Sequence, residues 1–138
     1  MHPLILLSPI NGSNTVIVDS FAQLFVRFGY HAGIVHRRKF RHDREQDIHQ
    51  VEHYLRNAVI RQREALDWLL KRPDVDARRV GTVGISHGAI VHASLAGIDP
   101  RARHHVPVMA VAPLPRVMEH SPNAAFAPTG IASELIAT

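Results

Sequence analysis

Apolar and polar positions along the chain switch repeatedly between a short-run pattern and a three-to-four-residue spacing. Leu4 to Leu7 is an aliphatic run followed by Ser8-Pro9-Ile10-Asn11-Gly12-Ser13-Asn14, a stretch dense in turn formers and helix-capping side chains, so the order strand, loop, helix is predicted. Ile17, Phe21, Leu24, Phe25 and Phe28 then recur three or four residues apart and define one helical stripe, which Gly29 is placed to end in a left-handed conformation. His31 to His36 reads as a second short strand. A longer helix carries Ile48, Val51, Leu55, Val59, Gln62, Leu66 and Leu69 on one face, and His49, Glu52, His53, Arg56, Arg63 and Asp67 on the other. Pro73 and Asp74-Val75-Asp76 close it. Val80 to Ile85 is a third strand, His87 to Ala96 a third helix, and His105 to Ala112 a fourth strand.

Strands alternating with helices of this length imply βαβ units, right-handed crossovers and a mainly parallel sheet of about four strands flanked by helices. The fold class is α/β. From about residue 116 the periodicity fades into proline, glycine and small residues, with one short terminal helix expected at Ile131 to Ala137. No internal repeat or inter-domain linker stands out, so residues 1–138 read as a single domain.

With 46% hydrophobic residues in 138, the chain has the apolar material for a core. Its aliphatic runs fall far short of the roughly 20 residues of a membrane span, and no basic and apolar leader precedes the first strand. The absence of cysteine excludes disulfides and thiolate metal sites. A soluble cytoplasmic protein is expected, with no membrane partner. The balance of 16 Lys and Arg against 12 Asp and Glu gives +4, which does not imply nucleic acid. Its concentrated part, residues 36–44, reads first as a solvated basic loop.

The chemistry-bearing motif is Gly84-Ile85-Ser86-His87-Gly88 at the third strand-to-helix junction. A serine on a tight turn of this kind projects its hydroxyl above the sheet, and flanking glycines leave room for the strained turn to pack. The N-terminus of the following helix favours negative charge developing near Ser86. The competing reading is a serine that only caps the helix.

With its surroundings, Val80-Gly81-Thr82-Val83-Gly84-Ile85-Ser86-His87-Gly88-Ala89, with the upstream Leu4 to Ser13 segment and with Ala112-Pro113-Leu114, the chain resembles the α/β-hydrolase superfamily, in particular its esterase and dienelactone-hydrolase-like members. The resemblance covers roughly residues 3 to 115. It implies a serine-dependent acyl-ester hydrolase that needs no cofactor or metal, with Ser86 as nucleophile and the backbone N–H groups of Ile10 and His87 as oxyanion donors. A small-molecule acyl ester is the implied substrate, with Asn11, Arg37 and Arg38 as substrate-binding candidates. Ser8-Pro9 replaces the usual His-Gly signature of the oxyanion loop. The family order of serine, acid and histidine places the last two on later strand loops. After Ser86 only Glu119 and His120 are placed together beyond a strand end, so the chain is expected to represent the N-terminal and central part of the fold and to be weakly active alone.

Two rival readings follow from other residues. His49-Gln50-Val51-Glu52-His53 matches the H-x-x-E-H pattern of inverted zinc peptidases, although these side chains share the polar face of a helix where such residues are expected anyway. A non-catalytic, hydrolase-like binding module would use the basic loop 36–44 to meet an acidic partner. The edge of the fourth strand, weakened by Pro107, is a candidate for self-association into a homo-oligomer.

Overall fold

A computed structural model of the chain describes residues 1–10, 15–36 and 48–109, the side chains of 48, 49 and 51 excepted. In chain order the elements are β1 (His2–Ser8), α1 (Val16–Arg27), β2 (His31–Ile34), α2 (Ile48–Leu69), β3 (Val75–Ile85), α3 (His87–Ile98) and β4 (His104–Val108). The four strands form one parallel sheet in the order β2-β1-β3-β4. The chain steps outward from β1 to β2, then crosses back past β1 to β3 and on to β4. This reversal places α1 on one face of the sheet and α2 with α3 on the other.

Each face has its own core. On the two-helix face, Leu4 and Leu6 of β1 and Val80 of β3 pack with Val59 and Leu66 of α2 and Val91 and Leu95 of α3. On the other face, Leu7 and Val83 meet Val18 of α1, with Ile5, Phe21, Ala22 and Phe25 around them. The alternation of Leu4 and Leu6 against Ile5 and Leu7 follows the two-residue period of a strand buried on both sides.

The α1 stripe is rotated from the predicted one. Val18 is buried, while Ile17, Leu24 and Phe28 are exposed. Val18, Phe21, Ala22 and Phe25 are spaced three, four and seven residues from the first, a tighter face than the one through Ile17 and Leu24. Gly29 does end the helix, at φ 83°.

The strand bounds also differ. β3 begins at Val75, five residues earlier than predicted, because Val75 is buried and pairs with His2 below an irregularity in the β1 ladder. The segment that closes α2 thus also opens the strand. β4 begins at His104 and ends at Val108, since Met109 adopts φ 52° and leaves the extended conformation. The predicted continuation, Ala110 to Ala112, lies outside the described residues, as does the tail from 116. No helix among the described residues is long and apolar enough to cross a membrane.

Candidate active site

The order of the sheet reverses between β1 and β3, and the crevice outside the carboxyl ends of two such strands is where open α/β sheets bind ligands. Register brings the two ends level, because Ser8, the last residue of β1, pairs with Gly84 of β3. Ser86 follows two residues beyond Gly84, and Ile10 two beyond Ser8.

Ser86 stands at φ 52° and ψ −111°, a conformation that costs a non-glycine residue on the order of 1–3 kcal/mol. Three features hold the bend. The Ser86 N–H donates to the Val108 carbonyl at 2.8 Å, tying it to β4, and the Ala89 N–H donates to the Ser86 carbonyl at 2.9 Å, closing the first turn of α3. Gly84 and Gly88 supply the third: a β-carbon on Gly84 would lie 2.5 Å from the Gly88 carbonyl carbon, and one on Gly88 would lie 2.8 Å from the carbonyl carbon of Ser8. Backbone meets backbone here, so no side chain fits at either position.

Although Ser86 occupies the N-cap position of α3, its side chain makes no capping hydrogen bond. The hydroxyl is half-buried and, among the described residues, has no histidine or carboxylate partner. His87 opens the helix, and its ring leans against Tyr54 of α2 with centroids 5.4 Å apart. Its side chain therefore diverges from that of Ser86.

A polar cluster absent from the sequence reading lies directly beneath the β1 end. Ser8 Oγ is 2.9 Å from His92 Nε2 and accepts a hydrogen bond from Gln62 Nε2 at 2.5 Å. All three side chains are nearly fully buried. Burial pushes the His92 imidazole down to about 4, with the charge of His105 adding to the effect, so the ring is neutral in the folded protein. Since its Nε2 is committed to Ser8, His92 is not oriented to serve Ser86. Gln62 sits on the apolar stripe at a helical spacing, the one polar residue among aliphatics, and that mismatch was the signal in the sequence.

Further along α2 and α3, the carboxylate of Asp99 is 2% exposed and meets Arg101 Nη2 at 2.6 Å and Arg63 Nε at 3.2 Å. Hydrogen bonds from Arg101 hold its carboxyl down to about 2. Arg101 also pairs with Asp67, so the cluster clamps α2 to the end of α3.

Of the other predicted site residues, Ile10 is half-buried at the end of the described β1 segment, while Asn11, Arg37 and Arg38 lie outside the described residues, as do Glu119 and His120. In the H-x-x-E-H segment, Glu52 is exposed and ion-paired with Arg56 at 2.5 Å, and His53 contacts Asn57. That pairing takes up the carboxylate that would activate a metal-bound water. The His49 side chain lies outside the described set. No group of three or more potential ligands gathers among the described residues.

A small pocket opens between β1, α2 and the first turn of α3, with a volume of about 20 Å³, room for about one water. Ser8, His36, Arg61, Gln62, His87 and Gly88 are among the residues that line it.

No family model matches the chain, and no curated protein does. Solved structures do. The chain superimposes on the α/β hydrolase GrgF from Penicillium sp. sh18 with a TM-score of 0.62 at 16% identity, covering 79% of this chain and 37% of that one. It matches DcsB, solved in complex with a substrate analogue, with a TM-score of 0.59 at 20% identity over 80% of this chain and 37% of that one. The hypothetical protein PA2218 from Pseudomonas aeruginosa matches with a TM-score of 0.66 at 15% identity, over 99% of this chain and 41% of that one. These likenesses establish the fold: a four-stranded parallel portion of an α/β-hydrolase architecture. The chain spans about two fifths of the length of those structures.

Proposed function

We propose that Ser86 is the nucleophile of a serine-dependent acyl-ester hydrolase. One observation carries this reading: Ser86 holds a left-handed backbone at the strand-to-helix turn, yet its hydroxyl does not cap the helix. A serine retained only as a cap has no need of positive φ, whereas a nucleophile elbow needs it to lift the oxygen clear of the sheet.

In the proposed reaction, Ser86 Oγ attacks the ester carbonyl carbon and gives up its proton to a general base. The oxyanion formed is met by the backbone N–H groups of His87 and Ile10, aided by the positive end of α3. Collapse of the tetrahedral intermediate breaks the bond to the alcohol oxygen, which leaves with the proton. Water then attacks the acyl-serine, releases the acid and returns the proton to Ser86. The general base and its acid partner are sought after β4, by the family order of nucleophile, acid and histidine.

The test is turnover of p-nitrophenyl acetate by the purified chain and by Ser86→Ala, together with covalent labelling by a fluorophosphonate. Ser86-dependent turnover or labelling supports the reading. Equal rates for both proteins, with no labelling of the wild type, would leave a non-catalytic hydrolase-like module in its place.

A further inference from the structure

The small pocket beside the end of β1 joins four segments of the fold. Pro9 leads the chain toward Ile10, His36 follows β2, Gln62 comes from α2, and Gly88 belongs to the first turn of α3. A volume of about 20 Å³ exceeds the roughly 10–15 Å³ that one water needs and leaves little for anything larger. Size alone does not make a binding site.

Gln62 supplies an independent observation. It lines the pocket at 4% exposure, shielded from bulk solvent. Its Nε2 is spent on Ser8 Oγ, and its buried Oε1 has no partner among the described residues. A carbonyl oxygen is an acceptor, so the group that answers it is a donor. Leaving that acceptor unmet costs more than ordering one water, because burial strips the whole of its solvation and a bridging water restores most of it. Arg61 on the same wall disfavours a cationic donor, which leaves a neutral O–H. Arg61 and the rings of His36 and His87 add polar groups for the remaining bonds of a water, which takes two to four partners in such sites.

We propose that this pocket is a built site for a single internal water, which donates to Gln62 Oε1 and completes the buried cluster of Gln62, Ser8 and His92. The hydrogen bonds then run from the water to Gln62 Oε1 and from Gln62 Nε2 to Ser8 Oγ, which lies 2.9 Å from His92 Nε2. The water's role is positional. It fixes which end of the amide faces Ser8, and Ser8 ends the strand from which the loop to Ile10 departs. The site is independent of the proposed role of Ser86, whose side chain does not line the pocket.

The experiment records water-to-protein nuclear Overhauser effects on the isotope-labelled chain, together with urea unfolding of a pocket-filling variant. A long-lived water contact at the Gln62 side-chain amide hydrogens is expected in the wild type, and it should persist in Ser8→Ala, which removes the hydroxyl that could relay it. Val91→Ile adds one methylene to the pocket wall. An apolar gap gains from that filling, whereas a water site loses its water and strands Gln62 Oε1. Val91→Ile should therefore raise the unfolding constant of the wild type about fivefold and abolish the water contact. In a Gln62→Leu background, where the water has lost its acceptor, the same substitution should leave the unfolding constant unchanged or lower it. The site is overturned if the wild type shows no long-lived water contact or if the contact disappears in Ser8→Ala. A Val91→Ile substitution that stabilises the wild type as much as it stabilises Gln62→Leu overturns it as well.

Discussion

The backbone of Ser8 at the end of β1 touches Gly88 in the first turn of α3 so closely that a β-carbon on the glycine would sit 2.8 Å from the serine carbonyl carbon. This contact sets the loop after β1 beside the turn that carries Ser86. Gly88→Ala is therefore expected to destabilise the protein by about 3 kcal/mol, the upper range for overpacking, because the obstacle is backbone and cannot rotate away. Gly84→Ala faces the Gly88 carbonyl and should cost as much. Urea unfolding followed by circular dichroism measures both. A loss below about 1 kcal/mol in either would mean that the elbow is looser than described.

Ser86 carries backbone strain. Ser86→Gly removes the positive-φ penalty, so it should raise stability by about 1 kcal/mol, while Ser86→Ala keeps the penalty and should leave stability within about 0.5 kcal/mol of wild type. Both variants should lose any serine-dependent hydrolysis. Paired unfolding curves separate the two effects, and a Ser86→Gly protein less stable than Ser86→Ala would contradict the strain.

His92 should make stability depend on pH. Its folded pKa, about 4, lies below the value of about 6.5 expected when unfolded, so on acidification the unfolded chain takes up a proton before the native chain does. Stability falls as pH drops through 6.5 toward 4, by up to about 3 kcal/mol over that window for a ring so deeply buried. His92→Gln should flatten this dependence between about pH 7 and pH 4.5. Denaturant midpoints at three pH values decide the matter, and an unchanged slope in the variant would place the acid sensitivity elsewhere.

The Asp99 clamp also loses stability on acidification, but in a lower pH window. With its carboxyl held down to about 2 by Arg101, its contribution is complete above pH 4 and is lost only as pH falls toward 2. Asp99→Ala leaves Arg101 and Arg63 without their shared buried partner and should cost about 3 kcal/mol at neutral pH. Asp67→Ala removes an exposed partner of Arg101 and should cost about 1 kcal/mol at most. A reversed order in thermal unfolding would show that the exposed pair dominates.

The alternating periods of the sequence were enough to specify the α/β class, the four parallel strands and the elbow, because these features depend on local spacing: two residues for a strand, three to four for a helix, and glycines at fixed offsets around Ser86. The ending of α1 at Gly29 was legible for the same reason. Tertiary packing alone decided how far each helix is rotated on the sheet, which buries Val18 rather than Ile17 or Leu24. It alone decided that Ser8, Gln62 and His92, 54 and 84 residues apart from the first, converge on one hydroxyl. Convergence of that kind depends on strand register and on side-chain direction across three elements. A one-residue shift in register would turn Ser8 to the opposite face of the sheet, and no spacing along the chain records that choice.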